Sequence, residues 1–160
     1  MQSQKTSSDL ALLVARIAMS ALFIPGGLHK LMDLGAFDAM LHKQGVPLAD
    51  LLAPVGACVE FLGGIAVLVG LQLRIATLLM ILFTIIASFI AHRFWELEGP
   101  ARQMQQTNFF KNLAIVGGFC ALWAAGAGRY AVDRWLHRER FERRSGERRS
   151  GARSVPHATS

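Results

Sequence analysis

Four long apolar runs divide the chain. Between Leu10 and Leu28 the only charged residue is Arg16. Between Leu48 and Leu71 there are two, Asp50 near one end and Glu60 near the middle. Ile75–Ala91 and Leu113–Gly128 carry none, and extending the last run back to Phe109 adds Lys111 and Asn112 at its first turn. Each run is about 17–24 residues, close to the ~20 that a helix needs to cross ~30 Å of hydrocarbon. Lipid cannot satisfy a free backbone, and β-barrel alternation is absent, so the runs predict helices. The expected architecture is all-α, a polytopic membrane four-helix bundle.

The connections add an orientation. The first loop, Leu28–Pro47, holds Asp33, Asp38, His42 and Lys43, and a tight turn at Gly70–Arg74 joins the second and third spans. A polar stretch from His92 to Asn108, broken at Gly99-Pro100, leads to the fourth, which ends at Gly128-Arg129-Tyr130. Lys and Arg on the side of the N-terminus, the Arg74 turn and the C-terminal tail number eleven, against five on the other side. The positive-inside rule then puts both termini in the cytoplasm. Three regions are expected: a cytoplasmic N-terminus (1–9), a membrane domain (10–133) and a basic, disordered cytoplasmic tail (134–160).

Composition agrees with this partition. Hydrophobic residues make up 52% of the 160 and mean hydropathy is +0.36, too apolar for a soluble domain of this size. Nine of the 17 Lys and Arg lie between Arg129 and Arg153, so the net charge of +6 is mostly a property of the tail. No aromatic interleaving accompanies that charge, and no nucleic-acid partner is expected. Cys58 and Cys120 stand alone in apolar runs, without a CxxC or Cys/His cluster, so neither a thiol relay nor a metal site is expected. Met1–Asp9 lacks the positive start and cleavage signal of a secretory leader, and the first span is read as a retained anchor.

Polar residues inside apolar spans are the candidate chemistry. A charge at mid-bilayer costs ~3 kcal/mol or more and usually pairs or faces the bundle interior. Arg16 and Glu60 are such charges. With the first two spans antiparallel, an arginine side chain bridges their offset, so an Arg16–Glu60 pair is expected. It reads either as an ion pair that sets helix register or as a protonic, catalytic pair. Thr77, Thr84, Ser88 and His92 trace a polar stripe on the third span, and Pro25 is expected to kink the first. At the opposite end of the bundle, His29, Lys30, His92, Arg93, Lys111 and Asn112 form a second group. They read as interface residues or as a binding site for a quinone-like head or an anionic substrate.

The stretches "ARIAMSALFIPGGLHKL", "VEFLGGIAVLVGLQLRIA", "AHRFWE" and "FFKNLAIVGG…GAGRYAVD" together resemble the DoxX family of small bacterial inner-membrane proteins, in order and spacing, over roughly Leu10–Asp133. The matching positions are Arg16, Gly27, Lys30, Glu60, Gly63, Gly64, Arg74, His92, Lys111, Asn112 and Gly128. The resemblance implies a four-helix membrane bundle and an oxidoreductase-associated role. The family name comes from a quinone-linked thiosulfate-oxidising complex, and mycobacterial members are tied to oxidative-stress defence. Two readings follow. One is a membrane redox component exchanging electrons with quinone beside a redox partner protein. The other is a non-enzymatic accessory or assembly subunit, or a small-solute passage. No nucleotide, haem-attachment or iron–sulfur motif is present, so an electron carrier would be a lipid-soluble quinone or belong to the partner. A homo-oligomer is compatible with either.

Overall fold

The computed structural model describes residues 2–135, with side chains from residue 6. Five helices follow one another: α1 (Gln2–Met32), α2 (Leu34–Lys43), α3 (Ala49–Val69), α4 (Leu73–Ala91) and α5 (Gly99–Ala125). A short 3-10 turn, Phe94–Glu96, precedes α5. Four of these elements are long and apolar enough to span a bilayer: Thr6–Met32, Ala49–Val69, Leu73–Glu96 and Gly99–Ala125. Among the described residues there is no strand. Most of the basic tail lies outside the described residues.

Two boundaries differ from expectation. The first loop is largely helical: α2 starts at an Asp33 cap, whose carboxylate accepts from the Ala36 amide at 3.0 Å. The fourth span begins at Gly99, well before Leu113, because Pro100 starts a helix instead of breaking one. Its first turns are polar and exposed, which hydropathy reads as loop. Helix α1 continues through Pro25.

The bundle has two distinct ends. At the turn end, Gly70 reverses the chain from α3 to α4 at φ +70°, and the start of α1 meets the exit from α5, where Asp9 accepts from the Arg129 amide at 2.9 Å. At the loop end lie α2 and the 3-10 turn. The interior is built from Phe23, Val67, Leu73, Met80, Phe119 and Leu122, with Phe23 and Phe119 5.4 Å apart. A satellite cluster of Leu41, Ala49 and Ala53 seats α2 on α3. Many large apolar residues face outward, including Val14, Leu62, Leu78, Phe89 and Leu113, as a lipid-facing surface requires.

Helix α1 packs most extensively on α3. The contact depends on Gly27: a Cβ there would sit 2.5 Å from the Phe61 amide nitrogen, so only glycine lets the backbones meet. Ser20 pins the same contact by donating to the Gly64 carbonyl at 2.9 Å. On α4 the polar stripe is internal. Thr77, Thr84 and Ser88 are buried and donate to the carbonyls of Leu73, Met80 and Thr84, so their hydroxyls are satisfied within the helix.

Candidate functional site: a buried ion pair beside an apolar cleft

The expected Arg16–Glu60 pair does not form. Arg16, 2% exposed, turns toward the turn end of the bundle. Its Nε donates to Val67 O at 3.1 Å and is shared with Leu68 O at 3.3 Å. Its Nη2 reaches Leu68 O at 2.6 Å and Tyr130 O at 3.1 Å, and its Nη1 reaches Ala127 O at 2.8 Å. These acceptors belong to the last turn of α3 and to the exit from α5. The last carbonyls of a helix lack intrahelical partners and carry partial negative charge, so a forked cation satisfies them without a carboxylate. Gly70 makes room for this: a Cβ there would lie 2.6 Å from Ala131 Cβ and 3.0 Å from Arg16 Cζ. Asp133 completes the clasp, accepting from the amides of Gln72 at 2.7 Å and Leu73 at 3.1 Å at the start of α4.

Glu60 pairs instead with Lys30. Lys30 lies about 21 Å further along α1 than Arg16, at 1.5 Å rise per residue. From the last turns of α1 it reaches down to Glu60 near the middle of α3. The Glu60 side chain is 8% exposed and that of Lys30 31%. The approach of α1 at Gly26 and Gly27 brings them together: the Cβ position of Gly26 is 2.7 Å from Glu60 Oε1, so that oxygen lies against the helix backbone. The other oxygen faces Lys30, whose Nζ also stands 5.4 Å from the centre of the Phe37 ring.

An apolar cleft of about 330 Å³ adjoins this pair, between α2, α3 and α4. Phe37 and Met40 wall it from α2, Val55 and Gly56 from α3, and Phe83 and Ile86 from α4. Lys30 is the single charged residue in its wall. Val55, Leu79, Leu82 and Ile86 line the cleft and are also exposed, so it opens toward the lipid. Its size lies in the range of small-molecule sites, and its make-up matches too: mostly apolar, with a polar anchor.

The other proposed head-binding residues are engaged separately. His92 Nδ1 is 2.7 Å from Gln105 Oε1, and Asn112 Nδ2 donates to Ser88 Oγ at 3.0 Å. Arg93 donates to the Gln44 carbonyl and lies 3.5 Å from Glu96, tying the 3-10 turn to the end of α2. Lys111 donates to Asn108 Oδ1 at 3.0 Å on its own helix, and His29 is exposed. Of the six, only Lys30 borders the cleft. The sequence also gave no sign of a charged bridge between α2 and α3. His42 Nε2 lies 3.6 Å from Asp38 Oδ1 and 3.3 Å from Asp50 Oδ1. Asp38 and His42 share one α2 face by i,i+4 spacing, but Asp50 joins them only through the fold.

A family model, DoxX, matches residues 11–93. The chain belongs to the DoxX family. It is 34% identical to inner membrane protein YqjF of Escherichia coli over 135 residues, covering 84% of this chain and 98% of that one. It is 32% identical to inner membrane protein YphA of the same organism over 123 residues, covering 77% and 88%. A shorter match, 33% over 69 residues, joins 42% of this chain to 23% of a Surfeit locus protein 4 homolog of Schizosaccharomyces pombe. No solved structure matches. With its four apolar spans, this DoxX-family chain is a multi-pass protein of the inner membrane. Arg16, Gly27, Lys30 and Glu60 all fall inside the matched region.

Proposed function

We propose that this DoxX-family protein is a quinone-linked redox component of the inner membrane, with both termini in the cytoplasm, working beside a partner protein that exchanges electrons with the quinone. The observation that carries the reading is the Lys30–Glu60 pair at the wall of a lipid-facing apolar cleft. A bound quinone would supply a two-electron, two-proton couple. Lys30 Nζ has three donor hydrogens, and Glu60 engages one, which leaves donors for a carbonyl oxygen of the head. Glu60 is the proton-holding group: nearly buried beside a single ammonium and outside the cleft wall, it exchanges protons with the head through Lys30. The cleft keeps water from the head, which strengthens each of these contacts. Arg16, with every nitrogen committed to carbonyls, supports the bundle and takes no part in proton transfer.

Mild-detergent extraction followed by native mass spectrometry should find quinone bound in stoichiometric amount, and Glu60→Gln should abolish quinone-dependent turnover in membranes. Absence of bound quinone together with absence of turnover would remove the redox reading. The second reading, a non-enzymatic accessory or assembly subunit or a small-solute passage, is favoured by the lack of any electron-carrier motif in the sequence. Recovery of a stoichiometric partner without any cofactor spectrum would support it.

A further inference from the structure

We infer that the cleft selects amphiphiles whose head is a neutral hydrogen-bond acceptor, such as a ketone or ester carbonyl, and rejects those with an anionic head. The inference rests on the cleft and the Lys30–Glu60 pair forming one ligand site, as proposed above, and not on any electron transfer.

The selection follows from charge. Lys30 is the single charged residue in the cleft wall, and Glu60 already neutralises it. An anionic head could bind well only by taking Lys30 for itself, which would strand the Glu60 carboxylate, 8% exposed, among the spans. An uncompensated buried charge is among the costliest defects a membrane interior can hold. An anion that left the pair intact would sit beside a second negative charge in a low-dielectric setting. A neutral carbonyl avoids both, because it accepts one remaining ammonium hydrogen while the pair persists.

Geometry narrows the class further. Glu60 Oε1 lies against α1 at Gly26, and Oε2 is occupied by Lys30, so the carboxylate offers the cleft little to accept a hydroxyl donor. The Phe37 ring, 5.4 Å from Nζ, closes another approach to the ammonium and belongs to the cleft wall itself. The polar feature presented to the cleft is therefore a partly covered ammonium, a donor. The rest of the wall offers only hydrocarbon contact, which suits a single apolar chain. Specificity here comes from the penalty placed on the wrong ligand as much as from attraction to the right one.

The test uses a matched pair of ligands. Full-length protein in mild detergent is incubated with equal amounts of a monoacylglycerol and its phosphate ester of the same chain, and the retained species are counted by native mass spectrometry. The wild-type chain should retain the neutral ester over the phosphate by roughly tenfold or more, tenfold being 1.4 kcal/mol. Glu60→Gln leaves Lys30 uncompensated and should shift the ratio toward the phosphate, again by roughly tenfold. Gly56→Leu, whose Cβ would be only in ordinary contact with Phe37 and Phe83, fills the cleft and should lower retention of both. A wild-type chain that retains the phosphate as well as the neutral ester overturns the inference, whether or not Glu60→Gln survives extraction. So does an unchanged ratio in a folded Glu60→Gln protein. If Gly56→Leu retains both ligands undiminished, the cleft is not the site, and the site reading falls with the inference. Neutral selectivity without quinone turnover removes the redox role and leaves the inference standing.

Discussion

Two cations of α1, one buried and one part-buried, meet opposite fates. Arg16 is surrounded by four backbone carbonyls drawn from α3 and the exit of α5, and every one of its nitrogens is used. Lys30 has one carboxylate and borders an apolar cleft. The first arrangement is saturated and joins three parts of the chain, as a structural fastening must. The second is minimal: two charges compensate each other and leave donor capacity beside open space. A cost in stability at such a place is better explained by a ligand than by folding, because a buried pair adds little over a well-packed apolar one.

The largest expected effect tests the saturated end. Arg16→Leu should cost roughly 3–5 kcal/mol, from the orphaned carbonyls and the imperfect fill. It should show as a large fall in the detergent melting temperature, and Arg16→Lys should recover little, since a point charge cannot reach acceptors spread over two segments. A stable Arg16→Leu protein would break the comparison. Next, Gly27→Val should push α1 from α3 and cost about 1–3 kcal/mol, with loss of ligand retention, because the same approach seats Lys30 on Glu60.

A third experiment separates the two cations most directly. Glu60→Gln alone should lower stability by about 1–2 kcal/mol, whereas Lys30→Met with Glu60→Leu should be near neutral or stabilising by thermal melt. Both should lose quinone-dependent activity. If the double variant fails to fold, the pair is structural after all. The smallest effect belongs to Asp133→Asn, which keeps one of the two acceptor oxygens at the start of α4 and removes the other together with the charge. It should cost about 0.5–1 kcal/mol in the same melt and leave ligand retention unchanged.

Much of this bundle was legible beforehand, and the misses have physical causes. Spans two and three were found to within a few residues because hydropathy is a property of each segment alone. Hydropathy misses the start of α5 because its first turns are polar and precede the apolar part. Helix α2 is hidden in the sequence because ten residues with a capping aspartate give no strong hydropathy signal. Nothing in the spacing of Gly26 and Gly27 along the chain shows that they set the offset between α1 and α3. The spacing of Arg16 and Glu60 along antiparallel spans points to a pair, but backbone carbonyls at the end of α3 and the exit of α5 satisfy Arg16 instead.

Composition and pattern alone determined a helical membrane protein with four spans, the motifs of the DoxX family, and Arg16 and Glu60 as the charges that demanded partners. The tertiary structure alone decided who those partners are. Arg16 went to helix-end carbonyls, Glu60 to Lys30, and the cleft formed where α2 folds over α3 and α4. The reason is that burying a charge creates a requirement that any suitable group can meet. Which group meets it depends on the register of packed helices, here set at Gly27, where a single Cβ would have held the two backbones apart.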